Sequence, residues 1–137
     1  MAQNGKSAIG VGKAIPSPWL AELDSLKNLS EGWDSYSAPA PNTMAVENAK
    51  ALVKEADKSD TSPERVEPSA TGGIGVTFST AGREVVIEFY NPGTAHALFS
   101  DDATGEMKTL AVSIGRDGYR KVIGEVRKYL YGETTAA

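Results

Sequence analysis

The feature that most constrains the fold is a change of period. Up to about residue 57 the apolar residues recur every three to four positions; from Val66 to Val112 they recur about every two. Helical spacing returns after Asp117. Strands grouped together, rather than interleaved with helices, define an α+β order, α-α-β-β-β-β-β-α, with no internal repeat.

Local signals place the boundaries. Ser17-Pro18 pairs a capping hydroxyl with a proline at the first helical position. Trp19, Leu20, Leu23 and Leu26 then carry a helix to about Leu29, and Gly32 stops it. Asn42 or Thr43 caps a second helix running to about Asp57. Ala45, Val46, Ala49, Leu52, Val53 and Ala56 form its apolar stripe; Glu47, Lys50, Lys54 and Glu55 form a solvated face. The third helix runs from Asp117 to about Leu130. Its Tyr119, Val122, Ile123, Val126, Tyr129 and Leu130 share an arc of about 120°.

Five strands are expected, at 66–69, 74–79, 84–90, 95–100 and 107–112. Loops rich in Gly, Asn and Asp separate them, short enough to demand an antiparallel meander. Asn91-Pro92-Gly93 suits a type II turn with Pro92 and Gly93 at its centre. Alternation turns Ile74, Val76, Phe78, Val85, Ile87 and Phe89 toward the helices. Thr77, Ser79, Glu84, Val86, Glu88 and Tyr90 then face away. The last two strands alternate too poorly for their faces to be assigned. The domain is expected to span residues 17–132, between a flexible tail at 1–16 and a disordered one at 133–137.

Composition excludes several classes. With no cysteine there is no disulfide, thiolate nucleophile or Cys-based zinc site, and one histidine is poor material for a transition-metal centre. No stretch approaches the roughly 20 apolar residues of a membrane span, and the N-terminus lacks the apolar run of a signal peptide. A cytoplasmic protein without cofactor is expected. Asn4-Gly5-Lys6-Ser7 and Gly12-Lys13 lack the upstream glycine or the Lys-Ser/Thr pair of a phosphate-binding loop. The net charge of −4 argues against broad, non-specific nucleic-acid binding, and nucleic acid is not expected as a direct sequence-specific target. Residues 113–131 hold five basic and two acidic side chains, so that segment is +3 and the remainder −7.

Gly32-Trp33-Asp34-Ser35-Tyr36 is the densest motif. As a recognition loop, Trp33, Asp34 and Tyr36 would bind a small ligand. As a structural corner, Trp33 and Tyr36 would bury against the sheet while Asp34 accepts backbone N–H bonds. Leu26, Leu29, Gly32-Trp33-Asp34, Tyr36, Ala38 and Pro41, followed by an alanine-rich helix and by Gly72-Gly73-Ile74, resemble a set of small uncharacterised bacterial proteins. In that set a GWDGYGA segment precedes a helix and a GGI strand start. The resemblance spans roughly residues 23–89 and implies a shared fold without an activity. Ser35 and Ser37 stand where that pattern often has glycine, which implies a less mobile loop.

Catalytic combinations do not assemble. His96, between two alanines on a strand, reads as a half-buried structural residue. Glu84 and Glu88 lie about 13 Å apart along one strand, beyond the ~5–9.5 Å of paired glycosidase carboxylates. The third helix carries a second feature: Arg120, Gly124, Arg127 and Tyr131 line one edge beside its apolar arc, and Lys121 and Lys128 extend the charge. A glycine inside a helix costs about 1 kcal/mol against alanine, and close approach of another backbone is one reason to keep it. The expected function is therefore a non-enzymatic interaction protein that regulates or inhibits a larger macromolecule, as antitoxins and phage-defence inhibitors do. Its partner would be a protein, or a second copy of this chain, held at that exposed edge. The alternative is a small-ligand or nucleotide-binding protein using the Trp33/Tyr36 loop. A cavity above ~300 Å³ with converging polar groups would favour the ligand, and a flat apolar patch with a polar rim the protein.

Overall fold

Ser17 opens the first helix as its chemistry requires: its hydroxyl accepts the Trp19 amide at 3.2 Å, one residue past Pro18. This helix, α1 (Pro18–Ser25), tightens into a 3-10 turn at Leu26–Asn28 instead of running on as α-helix. The computed structural model describes residues 17–132, so both expected tails lie outside the described residues. The Asn42 side chain caps α2 (Thr43–Lys58) by accepting the Ala45 amide at 2.8 Å. Asn42 also donates twice to Asn91, from its backbone amide to Oδ1 and from its Nδ2 to the backbone carbonyl, both at 2.8 Å, which ties the start of α2 to a turn of the sheet.

The strands are β1 (Arg65–Pro68), β2 (Gly73–Thr80), β3 (Arg83–Tyr90), β4 (Ala95–Asp101) and β5 (Met107–Val112), followed by α3 (Arg116–Tyr131). They form one antiparallel sheet in sequence order, the expected meander. The Asn-Pro-Gly turn sits one residue earlier than expected. Gly93 N–H donates to Tyr90 O at 2.9 Å, so Asn91 and Pro92 are central and Gly93, at φ 106°, follows them.

One face of the sheet is covered. α2 lies over β2 and β3, α3 over β2, β3 and part of β5, and α1 packs on α2 and β1. Val76, Phe78, Ile87, Phe89, Ala97 and Phe99 are all buried beneath them. Each of these side chains except that of Ala97 contributes about 1.5–3 kcal/mol of transfer free energy. Register settles the strands whose faces the sequence left open. Ala95, Ala97 and Phe99 turn inward opposite Val112, Leu110 and Lys108. The helical cover runs out toward the β5 edge, where Leu110 remains 38% exposed. No helix among the described residues is long and apolar enough to cross a membrane.

Candidate functional site

The edge of α3 is engaged within the molecule. Arg120 Nε donates to Glu55 Oε1 at 3.2 Å. Arg127 Nη1 donates to Ser59 O and to Thr61 Oγ1, at the end of α2, and its guanidinium lies over the Tyr131 ring. Both arginines therefore help fasten α3 to α2, while the Arg120 side chain stays 56% exposed, so part of the expected edge still faces water. Gly124 is buried in the helical layer. Lys121, Lys128 and Tyr131 remain exposed, and Lys121 lines a shallow hollow with Lys108 and Leu110 beside β5.

Glu55 corrects the reading of α2. Assigned to the solvated face, it is only 8% exposed. Besides Arg120, Lys58 Nζ donates to its Oε2 at 3.2 Å, and Arg116 Nε stands 4.0 Å away. Burial pushes the Glu55 carboxyl pKa up, but the hydrogen bonds from Lys58 and Arg120 and their charges prevail and lower it. A carboxylate whose folded pKa is lowered contributes its full stability above the unfolded pKa and loses it as pH falls through the folded one. Glu55→Gln should cost about 1–2 kcal/mol at neutral pH, since charged hydrogen bonds are lost while their cationic partners keep access to water. Thermal unfolding of both proteins near pH 7 and near pH 2 checks this. The melting temperatures should differ at neutral pH and converge in acid.

Beside Glu55, an open groove of about 600 Å³ runs between the outer side of α2 and the start of α3. Lys54, Lys58, Ile114, Gly115, Arg116 and Tyr119 line most of it, with the acids Glu55 and Asp57. α3 begins here with Gly115 at its N-cap, so no side chain caps the amides of its first turn. Tyr119 is 2% exposed, packed edge-on against Phe89 at 5.9 Å, and its hydroxyl is buried without a hydrogen-bond partner. Burial pushes the Tyr119 pKa up; the Gly115 N–H opposes the shift while falling short of hydrogen-bond geometry.

The Trp33 loop is self-contained. Trp33 Nε1 donates to Pro39 O at 3.0 Å, Asp34 Oδ1 accepts the amides of Tyr36 and Ala38, and Gly32 N–H donates to Ala38 O at 2.8 Å. These bonds match the polar part of the structural corner, with two corrections: Trp33 is only half-buried and stands outside the core cluster, and Tyr36 points into solvent, 86% exposed, instead of burying against the sheet. Ser35 takes φ 69°, the left-handed region that favours glycine.

Among the described residues no helix packs on the far face of the sheet, although Thr77 and Gly75 at its middle are buried among their neighbours. In register across it lie Arg65, Thr77, Val86, Leu98 and Thr109, and in the next row Glu67, Gly75, Glu88, His96 and Ala111. Tyr90 OH donates to Glu88 Oε1 at 2.8 Å and lies 3.1 and 3.2 Å from the two ring nitrogens of His96. Burial first, and Glu88 second, push the Tyr90 pKa to about 12, so the phenol stays protonated. Ser69 Oγ lies 3.4 Å from Glu88 Oε2, making an acid–phenol–imidazole network without a Ser–His pair. Between Glu67, Glu88 and Val86, Gly75 leaves a hollow of about 320 Å³. Among the described residues no group of three or more histidines and acids is placed to hold a metal ion.

Compared with protein-family models, curated proteins and solved structures, the chain matches none. Of the residues singled out in the sequence, Arg120 and Arg127 meet α2, Trp33 and Asp34 meet their own loop, and the two sets stay separate. Glu55, Arg116, Tyr119 and Gly75 were not singled out as site residues. The one readable signal for them was a glycine in the middle of an apolar strand.

Proposed function

We propose that this chain is a non-enzymatic binding protein that regulates or inhibits a larger protein, gripping it with the uncovered face of its sheet. The observation that carries the proposal is the makeup of that face. Val86 and Leu98 form a half-buried apolar centre, and Glu64, Glu67, Glu84 and Glu88 stand around it against a single Arg65. An apolar centre inside a charged rim is the anatomy of a protein interface. The excess of glutamates selects a partner surface bearing lysine or arginine. The Gly75 hollow would take one such side chain, with its methylene stem on Val86 and its charge between Glu67 and Glu88. Antitoxins and inhibitors of defence proteins belong to this class.

A photo-crosslinking residue placed at position 98, and separately at 54 and at 128, in the full chain expressed in its host tests the assignment. Cross-links to one protein should concentrate at 98, and Glu67→Lys should reduce them at least about ten-fold while leaving the melting temperature nearly unchanged. Cross-linking at 128 and not at 98 would return the interface to the basic edge of α3. No position-dependent product would overturn the binding role.

A further inference from the structure

We infer that the groove between α2 and the start of α3 is a binding site for a phosphate group carried on a small apolar body. Two independent observations meet there. The first is the N-terminus of a 16-residue helix whose cap, Gly115, brings no side chain, so no side chain caps the first-turn amides at the positive end of the helix dipole, and Asp117 is the one acidic residue of that turn. The second is the Tyr119 hydroxyl. A buried hydroxyl without a partner costs stability that phenylalanine would avoid, and Tyr119 occupies a groove wall at the Gly115 turn. In a helix the side chains lean toward the N-terminus, which carries the ring of Tyr119 back toward the same turn.

Charge and shape agree with that ligand. Lys54, Lys58 and Arg116 line the groove against Glu55 and Asp57. Glu55 is already matched by Lys58 and Arg120, and the Arg116 side chain, 67% exposed, is free to swing from its 4.0 Å approach onto a bound anion. A Cβ at Gly115 would meet nothing within 4 Å, so space lies open above the cap. Ala51, Ile114 and the Tyr119 ring supply the apolar wall that a bare ion would not need. The volume, about 600 Å³, lies within the range of small-molecule sites. None of this depends on the sheet face or on a protein partner.

The test is a titration of the isotope-labelled full chain with inorganic phosphate and with phenyl phosphate, at ionic strength matched with sodium chloride. Backbone amide shifts should localise to Gly115, Arg116 and Asp117. Phenyl phosphate should bind more tightly than inorganic phosphate, because only it reaches the apolar wall. Tyr119→Phe should fold at least as stably as the natural chain yet bind phenyl phosphate at least about ten-fold more weakly. Arg116→Gln, a surface change, should weaken binding without altering the fold. Equal affinity for Tyr119→Phe and the natural chain, shifts spread over the exposed lysines, or no response to either compound would overturn the assignment.

Discussion

Gly73→Ala is expected to destabilise this protein by more than about 3 kcal/mol, while Gly75→Ala, two residues along the same strand, is expected to be neutral or mildly stabilising. Gly73 begins β2 at φ 135°, a conformation L side chains rarely adopt. A Cβ built there would overlap the carbonyl of Phe89 on β3, backbone against backbone, with Tyr90 Cα 3.0 Å away. Relief would require β2 to leave β3 where Ile74 and Phe89 pair at the centre of the core. At Gly75 φ is ordinary, and a Cβ would stand 3.8 Å from Val86 Cγ1 and 3.9 Å from Glu67 O. That is normal contact, and alanine there would also reduce the freedom of the unfolded chain. Thermal unfolding of the two variants should show a loss of ten degrees or more, roughly, for Gly73→Ala and no loss for Gly75→Ala. If both fell alike, Gly75 would be a steric necessity and the hollow above it a by-product of strand pairing.

The contrast marks how far the pattern of residues carries. Alternation placed Ile74, Val76, Phe78, Val85, Ile87 and Phe89 on the core face, and all six are buried there. It works because the helices bury one face of both strands; β3 alternates with half-exposed positions on the other face, whereas in β2 the far-side Gly75 and Thr77 are buried as well and only residue type marks the alternation. It failed in β4 and β5 for two physical reasons. Ala95 and Ala97 face the core but carry too little apolar surface to stand out beside His96, and inward-facing Lys108 and Leu110 lie where the helical cover runs out. A residue's own polarity then no longer reports its side of the sheet.

The candidate site was less legible, because long side chains reach beyond their own element. A helical wheel shows Arg120 and Arg127 beside the apolar arc, but not that α2 offers them Glu55, the Ser59 carbonyl and Thr61. The same wheel puts Glu55 outside, since its cover comes from α3, more than sixty residues later. Tyr119 was readable as a core aromatic. Its missing hydrogen bond is a property of the assembled groove.

The second large effect is expected at Gly118, in the first turn of α3. Inside a helix, alanine in place of glycine ordinarily gains about 1 kcal/mol; here the sign should reverse. A Cβ at Gly118 would collide with the Ser113 carbonyl oxygen and lie 2.7 Å from the Ser113 carbonyl carbon, and backbone cannot step aside as a flexible side chain can. Either the first turn of α3 unwinds or the segment from Val112 to Gly115 moves. Val112 is buried, so movement there also disturbs the end of β5. The expected net loss is about 2–3 kcal/mol, the cost of overpacking less the gain in helix propensity. Because Gly118 lies between Gly115 and Tyr119, the distortion should fall on the phosphate groove. Gly118→Ala should therefore lose binding of phenyl phosphate even at temperatures where it stays folded, while cross-linking at position 98 on the opposite face continues. A variant that melted above the natural protein would show that this turn has slack, and the reason for a glycine at position 118 would have to be sought outside its packing.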